Sequence, residues 1–318
     1  MTRIAVALGG NALIRRGQPG STEVQRANLQ VAARSLVDLA ERSGAEIVLT
    51  HGNGPQVGFL AIEADAARDT VPPPPLDVLV AESQGQIGYL LAQALTSAFA
   101  RAGRDRSVAV LLSQSIVDPL DPAFLAPSKP VGPMYDEATA RRLADEHGWT
   151  IAPDATGWRR VVPSPRPLEI VEAASIRTLV DAGAIVIASG GGGIPVSRLS
   201  SGVLVGIEAV VDKDLAAVVL AEGVDADALL LLTDVSAAHS GWGATGAQPI
   251  RRLTLDAAAS GIADGTFAAG SMGPKVAAAA AFVGHTGRVA AIGALQDAAA
   301  VLEGRAGTTL VRRAVAAA

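Results

Sequence analysis

Ala184-Ile-Val-Ile-Ala188-Ser189-Gly190-Gly191-Gly192-Gly193 is a short apolar run that stops in four consecutive glycines. The run is too short for a helix and reads as a buried strand. Four glycines on end offer no side chains to a core, so they predict a loop whose N–H groups can ring an anion. The same pattern recurs on either side. Ile4-Ala-Val-Ala-Leu8 ends at Gly9-Gly10-Asn11, and Ile47-Val-Leu49 runs into Thr50-His51-Gly52-Asn53-Gly54. Leu229-Leu-Leu-Leu-Thr233 runs into Asp234, and Val108–Leu112 and Val289–Ile292 are further apolar runs. Helical spacing fills the intervals over 21–43, Gln84–Arg101, Glu172–Ala182, Asp214–Glu222 and the stretch after Lys275. Ser21 or Thr22 is suited to cap the first of these. Short apolar strands alternating with helices predict a mostly parallel sheet of about eight strands with helices on both faces, a three-layer α/β/α sandwich. Ligands in such sheets bind beyond the carboxyl ends of the strands, where the glycine loops collect.

Composition narrows the function. The chain has 318 residues, 49 % hydrophobic but only 3 % aromatic, so small aliphatic side chains must fill the core. Its net charge is −5 and no basic stripe is interleaved with aromatics, which argues against nucleic acid. Cysteine is absent, which excludes disulfides, thiolate metal sites and a cysteine nucleophile. The N-terminal stretch reads as a strand rather than a signal peptide, and no apolar run reaches the roughly 20 residues of a membrane span. A cytoplasmic protein is expected.

From Asp118 to Pro167 the character changes. Prolines crowd the stretch, which also holds Trp149, Trp158 and Tyr135, and one amphipathic helix interrupts it near Asp136–Glu146. A linker is poorer in aromatics and richer in small polar residues, so 118–167 reads as an inserted, protruding subdomain. Arg159-Arg160 within it is either a solvated turn or an anion contact.

Only three of the 26 lysine and arginine residues are lysine: Lys129, Lys213 and Lys275. Either these are ordinary surface lysines in an arginine-biased chain, or the chain uses a compact ammonium at these places. All three lie beside Gly or Pro, and Lys213 sits between Asp212 and Asp214 just before a helix, where anions are favoured. A lone histidine such as His51 is more often a structural hydrogen-bonder than a catalyst. There is no G-x-x-x-x-G-K-[ST] loop, no G-x-G-x-x-G after the first strand and no His-Arg-Asp catalytic loop. Glycine loops, lysines and a few aspartates still suit phosphoryl transfer, which asks the protein mainly to position groups and neutralise charge. Aspartates can orient the lysines or hold Mg²⁺.

The chain resembles the carbamate kinases of the amino-acid-kinase superfamily. The resemblance lies in Ala7-Leu-Gly-Gly-Asn-Ala-Leu13, Thr50-His-Gly-Asn-Gly-Pro-Gln-Val-Gly58, Gln84-Gly-Gln-Ile-Gly-Tyr89 and Lys129-Pro-Val-Gly-Pro133. It continues in Gly157-Trp-Arg-Arg-Val-Val-Pro-Ser-Pro165, Gly190-Gly-Gly-Gly-Ile-Pro-Val196, Glu208-Ala-Val-Val-Asp-Lys-Asp214, Leu232-Thr-Asp-Val235 and Phe267-Ala-Ala-Gly-Ser-Met-Gly-Pro-Lys-Val276. The lobe stretches are the more specific to carbamate kinases. The resemblance implies one domain over 1–318, with a carbamate and phosphate side in the N-terminal part and a nucleotide side over about 184–318. It implies a homodimer and the reaction ATP + carbamate ⇌ ADP + carbamoyl phosphate, with Mg²⁺ and no covalent phosphoenzyme. By the same resemblance Gly9, Gly10, Asn11, Gly52, Asn53 and Gly54, with Gly191 and Gly192, hold the small substrate and the phosphate. Lys129 closes over the site, Lys213 stabilises the transferring group beside Asp214, and Lys275 meets the nucleotide phosphates. Asp212, Thr233, Asp234, Trp242 and Met272 border the nucleotide.

The chain departs from the family pattern over 236–246, where an Asn/Tyr-Gly-Lys-Pro type stretch is usual and the lysine and proline are missing here; Trp242 stands where its aromatic would meet the base. Ala277 replaces a usual glutamate, and Met134 a common aromatic. Two other readings stay open on the residues alone: a kinase of the same fold acting on another small carboxylate or carbamoyl compound, and a nucleotide-binding regulator without turnover.

Overall fold

The computed structural model describes residues 2–10, 13–14, 17–154, 157–240, 246–268 and 272–313. The order is β1 (Arg3–Leu8), α1 (Thr22–Ser43), β2 (Glu46–His51), α2 (Gly54–Ala66), α3 (Leu76–Arg101), β3 (Val108–Val110) and β4 (Gln114–Val117). Next come β5 (Lys129–Tyr135), α4 (Glu137–His147), β6 (Thr150–Asp154), β7 (Gly157–Val162), β8 (Pro167–Ile170), α5 (Ala173–Asp181), β9 (Ile185–Ile187), β10 (Ile194–Arg198) and β11 (Leu204–Gly206). The chain closes with α6 (Lys213–Gly223), β12 (Ala228–Thr233), the short pair β13 (His239–Ser240) and β14 (Gln248–Pro249), β15 (Arg252–Thr254), α7 (Leu255–Ala263), α8 (Met272–Thr286), β16 (Val289–Ala294), α9 (Ala298–Leu302) and β17 (Thr308–Val311).

The main sheet has eight strands in the order β15-β17-β16-β12-β1-β2-β9-β3, and only the β16–β17 pairing is antiparallel. Alternate residues feed two separate cores. Ile4, Val6 and Leu8 of β1 face one cluster with Leu29 and Leu36 of α1 and Leu91 and Phe99 of α3. Ala5 and Ala7 face the other, with Ala217 and Leu220 of α6 and Phe282 of α8. Both faces are covered, which is why the strands read as unbroken apolar runs rather than alternating ones. The sandwich expected from the sequence is present. All six apolar runs lie in this sheet; β15 and β17 carry Arg252, Thr254, Thr308 and Thr309 and gave no apolar run.

Three local readings change. The loop expected after β2 is the start of a helix: Asn53 is the N-cap of α2 and Pro55 sits in its first turn, where a missing N–H and a fixed φ do no harm. The helix read from Gln84 begins earlier, at Leu76. The run Val108–Leu112 stops at Val110, and a second sheet in the order β11-β10-β4-β8 begins at Gln114.

Within 118–167 the proline-rich chain folds as an antiparallel sheet in the order β5-β7-β6, with α4 between β5 and β6. Pro130, Pro133 and Pro153 fall on the two edge strands, while the central strand β7 has none. That is the distribution the missing N–H of proline demands.

Candidate active site

The parallel strands end together at a cleft of about 1020 Å³. Gly9 and Gly10 follow β1, Gly52 and Asn53 follow β2, Gly191 follows β9, and Thr233 and Asp234 lie at the end of β12; all line the cleft. Gly54 lines it from the start of α2, Asp212, Lys213 and Asp214 from the start of α6, and Lys275 from the first turn of α8. Lys129 enters from the opposite side, on β5. Three helix N-termini therefore meet at one space, each contributing a partial positive charge.

The three lysines converge on two carboxylates. Lys213 Nζ donates to Asp214 Oδ1 at 2.6 Å, and Lys275 Nζ to Asp214 Oδ2 at 2.9 Å. Lys129 Nζ donates to Asp212 Oδ2 at 2.6 Å. Asp212 Oδ1 is the cap of α6, accepting from the amides of Asp214 at 2.9 Å and Leu215 at 3.3 Å. Three ammoniums against two carboxylates leave one positive charge in excess within this cluster, and Asp234 also lines the cleft.

Burial opposes every one of these charges, and the pairing decides the outcome. Burial would raise the pKa of Asp214, but Lys213 and Lys275 outweigh it and hold the carboxyl well below the usual range. Burial likewise lowers the Lys213 pKa, yet Asp214 and Asp212 keep it above the ordinary lysine value. Lys275 goes the other way: burial and then the neighbouring Lys213 depress it, with Asp214 compensating only in part. Burial also works against Asp212, and Lys129 overcomes it to keep the pKa low. His51 is buried with its ring beside Gly190, and burial, then Lys213, push its pKa down to about 4. It is a neutral, buried side chain behind the cleft.

The glycines act by letting groups approach more than by donating amides. The Gly9 amide donates to Leu232 O at 2.8 Å and the Gly52 amide to Leu8 O at 3.1 Å, so both are already occupied by the sheet. A Cβ at Gly52 would lie 3.1 Å from Cδ of Lys213. The tetraglycine departs furthest from expectation. All four residues are buried, and the amides of Gly192 and Gly193 close back on Ser189 O and Gly190 O. A Cβ at 190, 191, 192 or 193 would lie 2.4 Å from the His51 ring, 2.1 Å from Asn53 Nδ2, 2.4 Å from Val211 O or 2.2 Å from Ser115 Oγ. This is a tight crossing between strands, pinned by Thr50 Oγ1 donating to Ser189 O and Ser115 Oγ donating to Gly192 O. Gly191 borders the cleft and Gly192 lies behind it. Asn53 is held by its Nδ2 donating to Ser83 Oγ at 2.8 Å.

Arg159 and Arg160 point to opposite faces of β7. Arg159 lines the cleft and donates to Asp154 Oδ2 and Gly132 O, bracing β5 just after Lys129. Arg160 lies over Trp149 on the other side. Neither is the solvated turn that the sequence also allowed. Met272 opens α8 and packs against the core below the cleft. Asn11 and Trp242 lie outside the described residues. No local signal marks Asp154 and Arg159 as a pair, because their contact depends on the β6–β7 register.

Among the described residues no three His, Cys, Asp or Glu side chains converge as a metal site. The cleft carboxylates Asp212 and Asp214 are taken by lysines. A Mg²⁺ fits such a site when it arrives on phosphate oxygens and keeps much of its water.

The amino acid kinase family model matches residues 2–293. Carbamate kinase of Thermococcus kodakarensis is 49 % identical over 315 residues, covering 98 % of this chain and 100 % of that protein. Carbamate kinase of Haemophilus influenzae is 46 % identical over 311 residues, covering 98 % of this chain and 97 % of that one. The structure of carbamate kinase from Giardia lamblia bound to AMP-PNP superposes with a TM-score of 0.90 at 41 % identity, covering 98 % of this chain and 99 % of that one. Among the described residues no helix is long and apolar enough to cross a membrane. The chain belongs to the amino acid kinase family and, within it, to the carbamate kinases.

Proposed function

We propose that the protein is a carbamate kinase that transfers a phosphoryl group reversibly between ATP and carbamate, and that it forms ATP from carbamoyl phosphate and ADP. The observation that carries the reading is the convergence of Lys129, Lys213 and Lys275 on Asp212 and Asp214 in one cleft, in a chain so similar to carbamate kinases.

In the direction of ATP synthesis, a terminal phosphate oxygen of ADP attacks the phosphorus of carbamoyl phosphate. The bond from phosphorus to the carbamoyl oxygen breaks, and carbamate leaves with that electron pair. No proton need move, so the residues act by position and charge. Lys213, fixed by Asp214 with its stem against Gly52, faces the transferring group. Lys275, on the other oxygen of Asp214, meets the nucleotide phosphates. Lys129 neutralises the carbamoyl phosphate from the lobe side, and Gly10, Asn53 and Gly54 surround the small substrate with the N-terminus of α2. Thr233 and Asp234 border the nucleotide. Mg²⁺, held on the nucleotide phosphates, would supply charge neutralisation there.

In this reading 118–167 is a subdomain carrying Lys129 over a carbamate side, and about 184–318 is the nucleotide side. Exposed apolar side chains on and beside the second sheet, Leu168, Leu199, Val203 and Val205, support a homodimer. Absence of cysteine and dependence on cellular nucleotide support a cytoplasmic setting. The test is a substrate panel assayed for ATP formation with ADP and Mg²⁺. Carbamoyl phosphate should be preferred over acetyl phosphate and other acyl phosphates; preference for one of those would overturn the reading.

A further inference from the structure

We infer that Asp212 sets the affinity for the anionic small substrate by competing with it for Lys129, so that the anion must take the ammonium from the carboxylate to bind. The inference rests on the carbamate-kinase reading only for the identity of the anion.

The two lysine–carboxylate groupings in the cleft differ in exposure. The Lys213–Asp214 and Lys275–Asp214 side chains are 16 %, 12 % and 6 % exposed for Lys213, Lys275 and Asp214. In the Lys129–Asp212 pair they are 32 % and 19 % exposed. The Asp214 grouping is a fixed, water-poor assembly. Its lysines stand on the first turns of two core helices, α6 and α8. Lys129 stands on β5, an edge strand of the small sheet, so the Lys129–Asp212 bond crosses the cleft from lobe to core. It is the pair that solvent screens most and that an incoming anion can most easily replace.

Asp212 is built to outlast the exchange. Its Oδ1 caps α6 whether or not Oδ2 has a partner. When Lys129 leaves, Oδ2 is left at the N-terminus of α6, where the helix charge and Lys213 still favour an anion. The carboxylate therefore does not follow the lysine. Discrimination follows from this competition. An anion that offers Lys129 less than Asp212 does leaves the pair closed, and one that offers more opens it. Asp212 acts on substrate through Lys129 and is a positioning residue.

Asp212→Asn separates the two functions. Asparagine is as good an N-cap as aspartate, and with its oxygen turned to the amides its NH₂ group faces Lys129 and cannot hold it. The experiment titrates inorganic phosphate into wild type, Asp212→Asn, Lys129→Ala and the double variant by calorimetry, and measures KM and kcat for carbamoyl phosphate alongside. The expected result is phosphate affinity and KM tightened by about two- to fivefold in Asp212→Asn, the range that loss of a partly exposed ion pair implies. The kcat should not rise, thermal stability should change little, and the tightening should disappear in the Lys129→Ala background, as coupling requires. Unchanged or weaker phosphate binding in Asp212→Asn would overturn the inference. So would equal tightening with and without Lys129, which would assign the effect to the general field of the cleft. Phosphate titration does not require turnover, so loss of the proposed activity and loss of this competition are read separately.

Discussion

Lys213 and Lys275 are bonded to opposite oxygens of the same carboxylate, that of Asp214, at 2.6 and 2.9 Å. One side chain thus fixes two cations whose helices, α6 and α8, are far apart in sequence. Like charges this close repel, and only the buried anion between them makes the arrangement stable. Removing that anion leaves two buried ammoniums uncompensated. Asp214→Asn should cost about 3–5 kcal/mol of stability and depress the already lowered pKa of Lys275 further. Thermal melts and the pH profile of kcat check this: the alkaline limb should move to lower pH. A variant with wild-type stability and an unmoved alkaline limb would contradict it.

Gly52 is required by the Lys213 stem rather than by its own amide. A methyl at this position meets Cδ of Lys213 at 3.1 Å, tighter than ordinary contact. Gly52→Ala should shift the ammonium and lower kcat about tenfold or more, since misplacement of about 1 Å costs up to ~10²-fold. Nucleotide affinity, measured by ADP titration, should change less than kcat. An equal loss in both would place the effect elsewhere.

Gly58 of α2 and Gly132 of β5 touch through their backbones, and a Cβ at Gly58 would lie 2.6 Å from Gly132 Cα. Gly58→Ala must push β5 and Lys129 away from the cleft. KM for carbamoyl phosphate should rise several-fold with the ADP dissociation constant unchanged. Lys129→Ala should show the same asymmetry more strongly. Binding titrations that find equal losses for both ligands would contradict both expectations.

His51 links pH to stability. Its pKa is held near 4 in the fold and lies near 6.5 in an unfolded chain. Below about pH 6.5 the unfolded state takes up a proton that the folded state refuses, so stability falls as pH falls through this window. The loss should approach ~3 kcal/mol by pH 4. His51→Gln should flatten this part of the pH dependence of the melting temperature, even if it lowers stability overall. An unchanged slope in the variant would show that other groups produce it.

Much of this was legible in the sequence. The apolar runs gave the sheet because parallel strands buried on both faces need no alternation, and the scarcity of lysine pointed to Lys129, Lys213 and Lys275. What could not be read was pairing across distance. Nothing local says that Asp212 divides its oxygens between a helix cap and Lys129, or that Asp214 serves two lysines. The glycines were legible as special positions but not in kind. Gly190–Gly193 looked like a free ring of amides and is a packed crossing, because the neighbours that forbid a Cβ, such as Asn53 and Ser115, come from other strands. The pairing of Asp154 with Arg159 was invisible for the same reason.

The most direct measurement is ATP formation from carbamoyl phosphate, ADP and Mg²⁺ by the purified protein, run beside Lys213→Ala. Rapid ATP formation by the wild type, lost by at least about 10²-fold in a folded variant that still binds ADP, is the predicted result. A fully active Lys213→Ala protein would contradict the central role given to that ammonium, and a folded, ADP-binding wild type that makes no ATP would contradict the assigned reaction.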